Sequence, residues 1–303
     1  MLPAWRQGRT GEKESDRMTS SSSSRVVRAG GLSLNVVVEG EGPAVLLLHG
    51  FPDSWRLWRH QIPALVDAGL RVVAPDLRGF GDSDRPEDVD AYSLQSVIGD
   101  VGEILDALEI ERAHIVGHDW GAAVAWVMAS LVPQRVDRLV ALSVGHPAEF
   151  RSAGLEQREK SWYMLLFQFR GIAEEAMQRN DWHLLREFLR GDGDVDRYIS
   201  DLSRPGALTA GLNWYRANIP PEALFTGDPI VLPPVACPTL GIWSSGDHYL
   251  TEELMVRSEH HVEGPWRYAR IDGASHWIPL DAPAELNKLL VEFLTPPDEA
   301  GGH

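Results

Sequence analysis

The stretch IVGHDWGAAVAW, residues 115–126, joins an apolar strand-like run to a helix-like run of small residues. Gly117 and Gly121 bracket Asp119 in the G-x-nucleophile-x-G spacing of a sharp strand–turn–helix. Glycines suit that spacing because the turn is tight and the helix must pack close to the strand. The central position of such an elbow usually carries a serine. Here it carries a carboxylate. Taken alone, the match also fits an ordinary strand–helix turn with Asp119 as its cap. The rest of the chain decides between the two.

From Arg25 onward, strand-like and helix-like segments alternate. RVVRAG and LSLNVVVEG form a hairpin around Gly30-Gly31. AVLLLHG (44–50) is a continuous apolar run, as expected for a strand buried on both faces. DSWRLWRHQIPALVDAG reads as a helix with Asp53 as its N-cap. LRVVAPD is the next strand, and SLQSVIGDVGEILDALE has helical spacing at Val97, Val101, Ile104 and Leu105. RAHIVGHD and RVDRLVALSV are further strands around the small-residue helix. This β-α-β-α order predicts an α/β fold with a mostly parallel, doubly wound sheet.

The alternation stops over 148–229, where aromatic-rich helical segments run without a strand. It resumes at CPTLGIWSSGD (237–247), followed by a helix, the strand WRYARIDGASH and a last helix. Residues 25–147 and 230–303 therefore read as one core. Residues 148–229 read as a helical lid (cap) inserted between core strands, with LPPVACP (232–238) as the return linker. The serine-rich residues 1–24 read as a disordered tail, with Met1 and Met18 both candidate starts.

The chain has 303 residues and 44% apolar content, enough for a full core. Its formal net charge of -16 argues against nucleic acid and anionic membrane surfaces as partners. No apolar run is long enough to span a bilayer, and the N-terminus lacks the apolar centre of a signal peptide, so a cytoplasmic location is expected. Cys237 is the single cysteine. It permits neither an intrachain disulfide nor a cysteine metal cluster, and it reads as a small buried hydrophobe. No metal or cofactor is expected, and both a monomer and a homodimer fit.

Three further segments bear on Asp119. HGFP (49–52) follows the third strand. If the elbow presents a nucleophile, the Phe51 N–H and the N–H of Trp120, next after Asp119, are the expected donors of a two-donor oxyanion hole. His49 reads as a structural residue of that loop. His276, in DGASHWIPL after the last strand, stands where a base belongs, on a loop at the carboxyl end of the sheet. Asp247, in GIWSSGDHYL, is placed to orient His276 and stabilise its charged form. It also fits a plain turn, since Gly-Asp is a common turn pair. The order Asp119, Asp247, His276 is nucleophile, acid, histidine. His118 is expected to point away from the site, and His146 is a marginal pocket candidate.

On HGFP, DLRGFGDS (76–83), GHDWG (117–121) and GASHW (273–277), the chain resembles the α/β-hydrolase-fold epoxide hydrolases. In its core it is also similar to haloalkane dehalogenases. The likeness covers 25–147 and 230–295, with the lid as insertion. DLRGFGDS reads as structural, with Arg78 and Asp76 in local pairing. In both families the resemblance implies that the elbow aspartate attacks carbon and forms an alkyl ester, which a histidine-activated water hydrolyses. Chemistry explains the carboxylate. Displacement at saturated carbon by serine would leave an inert ether, whereas an aspartate leaves a cleavable ester.

The two leaving groups differ. An opening epoxide makes a strongly basic alkoxide and needs an acid; a halide needs only weak N–H donors. The resemblance implies that two lid tyrosines are that acid. Tyr163 in SWYMLLFQF and Tyr215 in LNWYRAN match. Trp120 could serve a halide through its indole N–H. After the strand that follows the elbow helix, where many dehalogenases keep their acid, no carboxylate occurs before Glu149. The expected activity is therefore hydrolysis of a small apolar epoxide by water to a vicinal diol. Haloalkane dehalogenation with the same triad is the alternative, and a non-catalytic binding protein of this fold is a third. Trp120, Trp162, Phe167, Trp214 and Trp277 are expected to wall the pocket. Trp182, Phe188 and Tyr198 add to an aromatic roof.

Overall fold

The computed structural model describes residues 24–225 and 229–295. Of the tail expected over 1–24, only Ser24 lies among them. Eight strands form one sheet in the order β1-β2-β4-β3-β5-β6-β7-β8. They are β1 (Ser24–Ala29), β2 (Leu32–Glu39), β3 (Ala44–Leu48), β4 (Arg71–Pro75), β5 (Ala113–His118), β6 (Val136–Leu142), β7 (Thr239–Ser244) and β8 (Trp266–Ile271). The hairpin β1–β2 joins β4 antiparallel, and every pair from β4 to β8 is parallel. All six residues of β5 and of β7 are buried. That is why neither stretch alternates between an apolar and a polar face.

Helices α1 (Gln61–Asp67), α2 (Leu94–Ala107) and α3 (Trp120–Leu131) connect the early strands. Ser93 caps α2 by accepting the Ser96 N–H, and the helix buries Val97, Val101, Ile104 and Leu105. The segment expected as one helix with Asp53 as cap is divided. A short 3-10 turn, Trp55–Trp58, precedes α1, and no cap bond comes from Asp53. Asp53 instead accepts the hydroxyl of Tyr198, far along the chain. Tertiary pairing has outcompeted the local cap.

Among the described residues, seven helices run between β6 and β7: α4 (Pro147–Arg151), α5 (Leu155–Lys160), α6 (Trp162–Gln168), α7 (Ile172–Leu189), α8 (Val195–Leu202), α9 (Ala207–Asn218) and α10 (Pro221–Phe225). Helix α7 is broken by non-helical dihedrals at Arg179–Trp182. The chain closes with α11 (Glu252–Arg257), α12 (Ile278–Asp281) and α13 (Pro283–Leu294). Among the described residues, no helix is long and apolar enough to cross a membrane.

DLRGFGDS is structural, but Arg78 and Asp76 do not pair with each other. Arg78 forms a buried, two-pronged pair with Asp100 on α2. Asp76 accepts from Asn35, Trp55 and Asp82. Cys237 is half-buried rather than buried.

Candidate active site

Asp119 stands between β5 and α3 with φ 53 and ψ -121. For a residue with a Cβ, such a backbone costs about 1–3 kcal/mol, so the surroundings must impose it. They do so from both sides. A Cβ at Gly121 would overlap the Leu48 carbonyl oxygen of β3, and one at Gly50 would overlap the Asp119 carboxylate. The missing side chains let helix, strand and loop close on the turn. The Phe51 N–H donates to Asp119 Oδ1 at 2.8 Å. Trp120, whose N–H is the other expected donor, opens α3.

His276 lies on the loop after β8, buried beside Asp119 and Asp247. Its Nδ1 donates to Asp247 Oδ2 at 2.8 Å, and its Nε2 lies 3.7 Å from Asp119 Oδ2. Burial works against a charged imidazole here. The Asp247 carboxylate, with Asp119, outweighs it and lifts His276 to about 10. Burial likewise opposes an ionised Asp247, yet its pKa is lowered. The reason is first the His276 charge and then full satisfaction. One oxygen takes the imidazole and the other takes the N–H groups of Tyr249 (2.8 Å) and Leu250 (3.0 Å).

The loop that carries His276 is tied down behind the ring. His118 Nε2 donates to the His276 carbonyl at 2.9 Å, with help from the Ser143 hydroxyl at 3.3 Å. His118 thus turns away from the cavities, which it does not line, and braces the loop behind His276. Burial, then the neighbouring His276, lower its pKa to about 3, so it stays a neutral donor. His49 holds its own loop: Nδ1 meets the Gly50 carbonyl and Nε2 accepts the Leu77 N–H.

The chain has six tyrosines. Four spend their hydroxyls inside the protein: Tyr92 on Pro86, Tyr198 on Asp53, Tyr249 on Phe188 and Tyr268 on Glu252. The other two, Tyr163 on α6 and Tyr215 on α9, line a cavity with Asp119 and His276. Their ring centroids are 5.9 Å apart and nearly perpendicular. Burial, then the Asp119 charge, push both phenols well above the usual value, so each keeps its proton to donate.

The expected wall residues divide. Trp120 lines this cavity, and Trp277 lines a smaller one adjoining it. Trp162 is 49% exposed and faces outward. Phe167 and Trp214 are fully buried but do not reach the cavities. Phe167 packs on Tyr163 and Tyr215, and Trp214 packs on Trp120 while donating to the Arg78 carbonyl. They are the second layer behind the phenols. Helical periodicity marks the apolar face of a helix but not which apolar residue reaches a void. His146 is buried and stacked on His261, outside the cavity lining. Glu149 faces His261 and Arg257 rather than His276.

Tyr249 was missed. It lines both cavities and packs its ring 5.2 Å from that of His276. The available signal was its place two residues after Asp247. Among the described residues, no cluster of His, Cys, Asp or Glu is arranged to hold a metal.

The model of the α/β hydrolase fold family matches residues 43–283. The chain is 38% identical to the AB hydrolase superfamily protein YfhM of Bacillus subtilis, over 88% of this chain and 96% of that one. It is 37% identical to epoxide hydrolase A of Mycobacterium tuberculosis, over 89% of this chain and 97% of that one. The crystal structure of epoxide hydrolase A from Mycobacterium thermoresistibile superposes with a TM-score of 0.75 at 31% identity, covering 90% and 98% of the two chains.

Proposed function

We propose, from the premise that the chain belongs to the α/β hydrolase fold family and is a hydrolase, that it opens an epoxide to a vicinal diol through an ester on Asp119. The observation that carries this reading is the pair Tyr163 and Tyr215, two buried tyrosines from α6 and α9 that line the cavity beside Asp119. A carboxylate facing two proton-holding phenols suits a substrate that takes a nucleophile at carbon and a proton at oxygen.

The steps follow from the geometry. A carboxylate oxygen of Asp119 attacks a ring carbon, and that carbon's bond to the epoxide oxygen breaks. The new alkoxide takes a phenolic proton. At rest His276 is an imidazolium between two carboxylates, as its raised pKa requires. Esterification removes the charge on Asp119, so the imidazolium is less stabilised and yields its proton to the phenolate, directly or through solvent. Neutral His276 is then the base. It takes a proton from water as the water oxygen bonds to the ester carbonyl carbon. The N–H groups of Phe51 and Trp120 hold the oxyanion. The ester bond breaks, one water proton leaves on the diol, and the other remains on His276, restoring the resting state.

His276→Gln keeps the attack but removes the base. Intact-protein mass spectrometry with styrene oxide is expected to show an accumulating adduct on that variant. Full turnover without an adduct would remove the ester from the mechanism. Haloalkane dehalogenation is the second reading, because the Trp120 indole, packed 5.1 Å from the Tyr215 ring, is the kind of weak N–H donor a halide takes. It leaves the two phenols without a task.

A further inference from the structure

Two cavities meet at the catalytic residues. Asp119, Tyr163, Tyr215, Tyr249 and His276 line both. The larger has a volume of about 120 Å3 and apolar walls that include Ala123, Val144, Phe150 and Met164. The smaller has about 10 Å3 and is closed by Phe51, Phe188 and Trp277. Beyond this shared wall the lobes part, the larger towards Val144 and Phe150 after β6, the smaller towards Phe51, Phe188 and Trp277.

An epoxide whose oxygen faces the phenols and whose carbon faces Asp119 lays its C–C bond across this junction. Each ring carbon then turns its substituents towards one lobe. The small lobe holds about one water's worth of space, far less than a phenyl ring or an alkyl chain needs. Its wall is also braced. The Tyr249 hydroxyl donates to the Phe188 carbonyl at 2.7 Å. The Phe188 ring packs on Tyr249 and Tyr163 at 5.1 and 5.0 Å, and Tyr249 packs on Trp277 at 5.9 Å. Pushing the wall outward would displace rings that also position Tyr163 and His276.

Resting on the epoxide reading, we propose that this asymmetry makes the protein selective for terminal epoxides: one ring carbon bears an apolar group, seated in the large lobe, and the other is a bare CH2 in the small lobe. Phe188 is the specificity-determining residue. Phe51 and Trp277 also wall the small lobe, but one offers a backbone N–H to Asp119 and the other adjoins His276. Phe188 comes from α7, is half-buried, and walls the lobe.

The test compares kcat/KM for styrene oxide, with one phenyl group, and trans-stilbene oxide, with one on each carbon. The wild type is expected to favour styrene oxide by about 100-fold or more, above the tenfold or so that a single misfit methylene gives. Phe188→Ala is expected to narrow that ratio by about tenfold through faster turnover of the stilbene oxide, with Phe188→Leu between. Ala123→Leu, on the other side, is expected to slow styrene oxide more than propylene oxide. Comparable wild-type turnover of both aryl epoxides would overturn the selectivity while leaving the epoxide reading intact. An unchanged ratio in folded Phe188→Ala and Phe188→Leu would overturn the role of Phe188. No turnover of any of the three by the wild type would remove the epoxide reading, and the selectivity with it.

Discussion

His276 Nε2 stands 3.7 Å from Asp119 Oδ2, beyond a hydrogen bond yet close enough for the charge of one to set the basicity of the other. In the proposed mechanism, a water reaches the ester carbon across that gap once Asp119 is alkylated, and the imidazole senses the loss of the carboxylate charge. Asp119→Asn mimics the uncharged ester. The free protein holds His276 near 10, and the amide variant is expected to hold it lower, because one flanking carboxylate is gone. An NMR titration of the imidazole reads this directly. An equal or higher value in the variant would contradict the proposed order of proton transfers. The same logic gives ester hydrolysis, in single-turnover measurements, a rate that rises with pH through a pKa below that of the free protein.

Losing both phenols separates the two enzyme readings. Tyr163→Phe with Tyr215→Phe is expected to slow alkylation of Asp119 by styrene oxide by roughly 10²–10⁴-fold, the range of a positioned general acid. Alkylation by a bromoalkane needs no proton and is expected to change much less. Rapid-quench mass spectrometry on both reagents is the measurement. Unchanged epoxide alkylation would move the assignment towards dehalogenation.

Asp247→Asn keeps the shape of the acid and removes its charge. The imidazolium that forms during water attack loses its partner, so ester hydrolysis is expected to slow by roughly 10²–10⁴-fold while the first alkylation is less affected. Burst kinetics separate the two steps. Equal slowing of both would place Asp247 in ring opening instead.

Asp53 and Tyr198 join the strand-end loop to α8 at 2.7 Å. Burial raises the Asp53 pKa from 3.8 to about 6, against the opposing pull of the Tyr198 hydroxyl. The sign follows. The folded state holds the proton more tightly than the unfolded one between those values, so this group's contribution to stability falls as pH rises from about 4 to 6 and is flat above. The full shift corresponds to at most about 3 kcal/mol. Asp53→Asn cannot titrate, so its stability relative to wild type is expected to rise over that window. Urea melts at several pH values check it; a constant difference would mean that Asp53 does not titrate there.

Asp100→Ala leaves the Arg78 guanidinium buried without its carboxylate partner. Breaking a buried pair on one side costs about 3–5 kcal/mol, so a large drop in the urea midpoint is expected. Arg78 also donates to the Ala91 and Ser96 carbonyls, which ties the DLRGFGDS loop to α2. A change within 1 kcal/mol or so would show that these two bonds suffice.

The sequence by itself determined the layered α/β order. Its evidence is local: apolar runs with period two or none, helices with period 3.6, and glycines where backbones touch. It also placed Asp119, Asp247 and His276 at strand ends, because a parallel sheet puts all its strand ends on one side. Other features were decided only in three dimensions. Asp53 looked like a cap but bonds Tyr198, 145 residues away. Trp162 and Phe167, five residues apart, shared one expectation, yet one faces outward and the other lies in the layer behind the phenols. Tyr163 and Tyr249 are both buried phenols that line the cavity, and a carbonyl of α7 takes the hydroxyl of Tyr249. Periodicity records which face of an element is apolar. Which atoms on that face meet a void, a carbonyl or another ring depends on how the helices between β6 and β7 lie across the sheet, and long-range packing sets that.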